Sequence, residues 1–70
     1  MDEFTEWTEK LQEAADHLEA AHALLAELQS DLKTAGRKKD MMAIGEAVER
    51  LARYGRLFED IRLSWTENES

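Results

Sequence analysis

The sequence contains no cysteine and no proline, and only three of its 70 residues are glycine. The absence of cysteine excludes disulfide bonds and thiolate metal sites. The absence of proline leaves no residue that would break a long helix outright. Long apolar runs are missing as well, because charged residues make up 36% of the chain and interrupt every hydrophobic stretch. No segment therefore predicts a membrane span.

The size of the chain limits the core that it can form. A chain of 70 residues makes one domain at most, and residues 1–70 are expected to form a single unit. A domain of this size buries only about 60% of its unfolded surface, and without disulfides the remaining sources of stability are oligomerisation and a partner protein. The first residues are acidic, whereas a signal peptide begins basic and continues apolar, so we expect a cytoplasmic protein.

The net charge of −7 is unevenly distributed along the chain. Residues 1–31 hold nine acids and one base, which gives −8, whereas residues 33–62 hold eight bases and five acids, which gives +3. The acidic first half argues against nucleic acid as a partner, because the phosphate backbone attracts basic surfaces. The asymmetry instead favours association with a basic protein surface or antiparallel pairing between copies.

The first half of the chain carries a seven-residue apolar repeat that is typical of a coiled-coil helix. Its a positions are Phe4, Leu11, Leu18, Leu25 and Leu32, and its d positions are Trp7, Ala14, Ala21, Leu28 and Ala35. Leu24 and Ala15 widen the stripe at flanking positions. The repeat predicts a helix over about residues 2–34. Gly36 is expected to end it, because glycine adopts the left-handed conformation at little cost.

The second half predicts another helix, over about residues 41–65, with Asp40 as its N-cap. Its apolar arc holds Met41, Ile44, Ala47, Val48, Leu51, Tyr54, Gly55, Phe58, Ile61 and Trp65. This arc spans about 160° of the helix, which is more than one neighbouring helix covers. Residues 35–40 form the predicted turn, and the polar residues 66–70 are predicted to be disordered.

Two helices joined by so short a turn must lie antiparallel. If the chain folds at about residue 38, the numbers of facing residues sum to about 76. Gly55 then faces Ala21, which predicts either a close approach of the two backbones or a gap that admits a side chain of a second molecule. The first helix overhangs the second, so Phe4 and Trp7 are expected to find their partners in another molecule. The predicted fold is all-α: an antiparallel, coiled-coil-like helical hairpin that completes a four-helix bundle as a dimer.

The residues expected to form the interfaces of this hairpin follow from the two apolar patterns. Aromatic side chains at the open end favour either core packing or a protein-binding hot spot. The predicted interface residues are Phe4, Trp7, Leu11, Leu18, Leu25, Leu28, Leu32, Val48, Leu51, Tyr54, Gly55, Phe58, Ile61 and Trp65.

Few polar residues indicate chemistry. Glu19 and His22 match the Glu-x-x-His pattern of carboxylate-bridged di-metal bundles, but Glu19 points away from the apolar seam and no second ligand-bearing helix is evident. The sequence therefore predicts no catalytic residue, no metal and no cofactor. The basic residues 37–39 suit a solvated turn at a helix C-terminus, although they also allow a nucleic-acid interpretation. The strip of Arg50, Arg53 and Arg56 is either a salt-bridged solvent face or a docking patch for an acidic partner.

These features predict a non-enzymatic protein–protein interaction module that homodimerises and binds a protein with an apolar helix or a basic surface. The hairpin architecture is similar to that of the plasmid copy-number RNA-binding bundles, though the acidic first helix argues against RNA. In size, acidity and architecture the chain also resembles the small type III secretion needle co-chaperones. That resemblance implies an alternative function in a hetero-complex, as a co-chaperone or as an inhibitor whose acidic helix occupies a basic site.

Overall fold

The computed structural model describes residues 3–69, with side chains described as far as residue 65. Helix α1 spans Glu3–Thr34 and helix α2 spans Lys38–Glu69, each 32 residues long. The two helices pack against each other along their length, and the molecule measures 52 × 15 × 11 Å. The predicted helical hairpin is therefore confirmed.

The turn between the helices depends on Gly36, as the sequence predicts. Gly36 has a φ of +77°, in the left-handed region that favours glycine. Its N–H donates to the carbonyl of Lys33 at 3.1 Å, and the N–H of Arg37 donates to the carbonyl of Leu32 at 2.9 Å. This pair of bonds is the Schellman motif, and it satisfies carbonyls that the end of α1 would otherwise leave open.

The predicted boundaries of α2 are wrong at both ends. The helix begins at Lys38, and the N–H of Met41 already bonds to the carbonyl of Arg37 at 2.9 Å. Asp40 is thus not the N-cap but lies in the first turn, where its carboxylate accepts a hydrogen bond from Arg37 Nε at 2.8 Å and benefits from the helix dipole. At the other end α2 continues to Glu69 and includes residues 66–69, which were expected to be disordered. Residues 1, 2 and 70 lie outside the described residues, and with them the predicted start of α1 at about residue 2.

The earlier start of α2 changes the pairing of the two helices. Trp65 packs on Trp7 with ring centroids 5.9 Å apart, where Leu11 was the predicted partner of Trp65. Gly55 lies nearest Leu18, where Ala21 was expected. The facing numbers therefore sum to about 73 rather than 76, because a turn of three residues folds the chain nearer residue 36. The two helices are equal in length, so the predicted overhang of Phe4 and Trp7 is also wrong.

The contact between the helices is shallow. No residue is buried among those that the structure describes; the innermost side chains are half-buried. In α1 the half-buried positions include the a residues Leu11, Leu18 and Leu25, as predicted, together with Ala15 and His22 at e. The d residues were expected beside the a residues in the seam. Ala21 is half-buried, but Trp7, Ala14, Leu28 and Ala35 are exposed. Helix α1 therefore meets α2 through its a and e positions, which leaves the d positions on one flank.

Candidate interaction surface

The hairpin has two unlike sides. A groove between the helices opens on only one of them. One side carries a groove of about 410 Å³, and its lining includes Gln12 and Glu19 from α1 and Ala52 and Glu59 from α2. Residues about half a turn away from these on each helix project from the opposite side, since successive residues advance by about 100°. The opposite side therefore carries the d and g positions of α1 and the flank of α2 that includes Tyr54.

The middle of this opposite side is apolar, whereas the g row of α1 at its border also carries Lys10, His17 and Asp31. Its large side chains are Trp7, Leu24, Leu28, Tyr54 and Leu57, which we call the apolar face, and their exposed fractions run from 41% for Leu28 to 65% for Leu24. Single exposed apolar residues are ordinary on protein surfaces, whereas a continuous patch marks an interaction site. The apolar face extends from the open end of the hairpin at Trp7 to Leu28 near the turn.

Large and small residues alternate along the apolar face. Around the middle of the hairpin, Tyr54 and Leu57 of α2 lie at the level of Ala14 and Ala21 of α1, given the observed pairing of the helices. Nearer the turn the relation is reversed, because Leu28 of α1 lies at the level of Ala47 in α2. A surface of this relief offers knobs and holes to a helix laid along it.

Three aromatic rings close the open end of the hairpin. Phe4 and Trp7 form an edge-to-face pair with centroids 5.3 Å apart, and Trp7 meets Trp65 at 5.9 Å with the rings tilted by 50°. Rings at this separation and inclination attract one another beyond the area that they bury. Trp7 remains 44% exposed, so it both closes the end of the hairpin and contributes to the apolar face.

The groove side is mixed in character. Gln12 Nε2 donates to Asp16 Oδ1 at 3.0 Å, and Arg62 pairs with Glu59 one turn away. Hydrogen bonding to Glu59 and the charge of that carboxylate raise the pKa of Arg62 above its ordinary value. Gly55 lines this groove together with Leu18 and His22 among others.

The two glycines of α2 differ in the space around them. A Cβ built on Gly55 would meet Leu18 Cδ2 at 3.7 Å, an ordinary contact. A Cβ on Gly45 would lie 2.6 Å from Gln29 Nε2, closer than atoms approach without movement. The close approach in this hairpin is therefore that of the Gln29 amide to Gly45, and the prediction of one at Gly55 is wrong. Gly45 lies outside the predicted apolar arc of α2, so the sequence pattern gave no signal for this approach.

The predicted interface residues fall into two groups. Half-buried between the helices are Phe4, Leu11, Leu18, Leu25, Leu32, Val48, Leu51, Gly55, Phe58, Ile61 and Trp65, whereas Trp7, Leu28 and Tyr54 are exposed on the apolar face. Two members of that face, Leu24 and Leu57, were not among the predicted site residues. Leu24 occupies a g position, which widens the stripe of α1 on the flank where Leu28 lies, and this was the signal for its role.

The polar residues considered for chemistry do not converge. Within residues 3–65 no group of three acid or histidine side chains is placed to hold a metal ion. His22 lines the groove with Glu19, whereas His17 is exposed. The described helices contain no segment both long and apolar enough to cross a lipid bilayer. Comparisons with protein-family models, with curated proteins and with solved structures found no match to the chain.

Proposed function

We propose that this chain is a non-enzymatic protein–protein interaction module that associates with itself through the apolar face. The observation that carries the proposal is the combination of a hairpin in which no described residue is buried with a set of large exposed apolar side chains on one side of it. Folding stability requires more apolar burial than one contact between two helices supplies. A second hairpin laid on the apolar face would supply it and would complete a four-helix bundle.

The size of the face agrees with such an interface. The hairpin is 52 Å long and 15 Å wide, so a second hairpin can lie along this face over its whole length. The depletion of charge along its centre and the presence of Trp7 and Tyr54 fit the composition of interface cores. The bundle would leave the groove side exposed for a further protein partner.

The test is the association state of the full chain, measured by sedimentation equilibrium, together with its helix content by circular dichroism. Leu24→Gln and Met42→Gln form a matched pair, because the two side chains are similarly exposed, at 65% and 68%. Leu24 belongs to the apolar face, whereas Met42 projects from the opposite flank of α2. Neither substitution changes the charge, and glutamine is a good helix former.

We expect a helical dimer at micromolar concentration and a dissociation constant raised at least about tenfold by Leu24→Gln, since two leucines per dimer lose their burial. Met42→Gln is expected to leave the constant unchanged. A fully helical monomer at these concentrations would refute the proposal. A chain that is helical only when a different protein is co-purified with it would favour the alternative, a co-chaperone or inhibitor that acts in a hetero-complex.

A further inference from the structure

A second copy can lie on the apolar face in two ways that keep two-fold symmetry. If the symmetry axis runs along the hairpin, the two turns lie at the same end, and α1 of each copy packs on α2 of the other. If the axis crosses the hairpin, the turns lie at opposite ends, α1 packs on α1, and α2 packs on α2. Adjacent helices are antiparallel in both arrangements, so the helix dipoles do not distinguish them.

The charges of the two helices do distinguish them. Helix α1, Glu3–Thr34, contains eight acids and two bases, which gives −6, whereas α2, Lys38–Glu69, contains seven acids and six bases, which gives −1. Packing α1 on α1 sets two strongly acidic helices against each other. Packing α1 on α2 places each acidic helix beside a nearly neutral one, so the repulsion across the interface is smaller.

The charged residues that border the apolar face reinforce this difference. The edge formed by α1 carries Glu6, Glu13, Glu27 and Asp31, which we call the acidic rim, with Lys10 as its one base. The edge formed by α2 carries Lys39, Arg50 and Arg53, which we call the basic rim, interleaved with Glu46 and Asp60, so that its net charge is +1. Among the described side chains, Arg37 forms an ion pair with Asp40 and Arg62 forms one with Glu59. Across residues 3–65 the basic rim forms no ion pair within its own hairpin, so its charges are available to a second copy.

We propose that the second copy docks on the apolar face with both turns at the same end, so that the acidic rim of each copy lies along the basic rim of the other. This inference rests on the proposed function. A symmetry axis parallel to the hairpin leaves each residue at the same height along that axis in both copies. Within one hairpin, Arg50 of α2 lies at the height of about residue 23 of α1. Glu27 of the second copy is then about 6 Å away along the axis, and Asp31 of that copy is similarly near Lys39. Both separations are within reach of long side chains. The same pairing sets Glu46 level with Glu27 and Asp60 level with Glu13 of the other copy, so the attraction is the balance between an acidic rim of net −3, counting Lys10, and a basic rim of net +1.

The opposite arrangement brings like charges together. An axis that crosses the middle of Glu3–Thr34 sets Glu6 level with Asp31 of the second copy and Glu13 three residues from the level of Glu27. Each of these like-charged pairs occurs twice in the dimer. Specific partners are commonly selected by avoiding such juxtapositions, and the acidic α1 therefore disfavours pairing with itself.

Pulsed electron paramagnetic resonance on the dimer tests the arrangement directly. The chain has no cysteine, so single spin labels can be attached at Lys38→Cys near the turn and at Thr5→Cys near the open end, both exposed positions. Both residues lie on the groove side or outer edge, away from the apolar face. Dilution with unlabelled chain gives a control for each variant, because it removes the intermolecular signal.

With the turns together, labels at Lys38 are expected about 20–30 Å apart across the bundle, given helix spacings of about 10 Å, and labels at Thr5 are expected at a similar distance. A mixed dimer with one label at each position should then give a distance close to the 52 Å length of the hairpin. The reverse pattern, long for each single variant and short for the mixture, would overturn the arrangement while leaving the dimer intact. The absence of any intermolecular distance at concentrations that should give dimer would overturn the proposed function as well.

A charge exchange provides a second, independent test. Arg50→Glu is expected to raise the dissociation constant about three- to tenfold at low ionic strength and less at high salt, as for exposed ion pairs. The double variant Glu27→Arg, Arg50→Glu should restore the original affinity, because it exchanges the two charges across the interface. An unchanged constant for Arg50→Glu, or a double variant no tighter than the single one, would contradict the inferred contact.

Discussion

Gly55→Ala is expected to stabilise the protein, although Gly55 lies within the helix–helix contact. Alanine in a helix interior is favoured over glycine by about 0.8–1.0 kcal/mol, partly because glycine loses more backbone freedom on folding. The new Cβ would meet Leu18 Cδ2 at 3.7 Å, which is an ordinary contact that costs nothing. The expected gain is therefore about 1 kcal/mol per chain, or an increase in Tm of about 4–8 °C for a domain of this size.

Gly45→Ala is the matched control, because it makes the same change in the same helix. Its Cβ would lie 2.6 Å from Gln29 Nε2 and 3.5 Å from Gln29 Cδ, so the Gln29 side chain must move to another rotamer. The obstructing atom is the far end of a flexible side chain that makes no hydrogen bond to any described residue, so its shift offsets only part of the gain in helix propensity. We therefore expect Gly45→Ala to stabilise the protein as well, but by less than the roughly 1 kcal/mol expected for Gly55→Ala.

The assay is urea unfolding followed by circular dichroism at one fixed chain concentration, because the stability of a dimer depends on concentration. Adding Gln29→Ala to Gly45→Ala removes the obstructing amide, so the double variant should regain about 1 kcal/mol relative to Gln29→Ala alone. A loss of stability in Gly55→Ala would refute the reasoning. It would indicate that a backbone or a side chain of another molecule approaches Gly55, as the sequence alone suggested.

Three further changes test other parts of the structure. Gly36→Ala should lower the free energy of unfolding by about 1–2 kcal/mol, because a side chain is strained at a φ of +77°; a thermal melt checks this, and an unchanged Tm would contradict the Schellman turn. Leu25→Asp should abolish the helical fold, since it places a carboxylate in the apolar seam, and an unaltered circular dichroism melt would refute that seam. Trp7→Ala should shift the fluorescence of Trp65 to longer wavelength and cost at least about 1 kcal/mol, whereas an unshifted spectrum would show that the two rings are not in contact in solution.

The sequence predicted the hairpin well because the signals for it are local. The heptad repeat of α1 marks a helix wherever its partner lies, and Gly36 marks the turn because only glycine adopts a positive φ there without strain. The pairing of the helices was harder to predict. It depends on where α2 begins, and a start three residues earlier than expected shifts every facing pair by a similar number. Asp40 was misleading because an acidic residue is favoured both at an N-cap and within the first turn.

The interaction surface could be predicted only in part, for a related reason. A heptad with apolar a and d positions is compatible with packing through a and d, or through a and e with d left on a flank. Which of these occurs depends on the residues at e, and the small Ala15 allows α2 to approach from that side. Once α2 occupies the a and e positions, Leu28 at d and Leu24 at g are displaced to the apolar face. This consequence follows from the tertiary arrangement, so the repeat alone could not indicate it.

The same geometry gives the uneven charge of the chain a structural meaning. An acidic helix paired with a less acidic one within a hairpin gains little from the difference, because the rims of α1 and α2 lie on opposite edges of the apolar face and are too far apart to form ion pairs. The difference in net charge between α1 and α2 matters when the apolar face of a second copy packs on this one, because each acidic rim then lies beside a basic rim. Helices of equal charge would allow both orientations of the second copy equally well. The contrast between −6 on α1 and −1 on α2 therefore favours one orientation, and it does so through residues such as Glu27 and Arg50 that the fold of a single hairpin does not require.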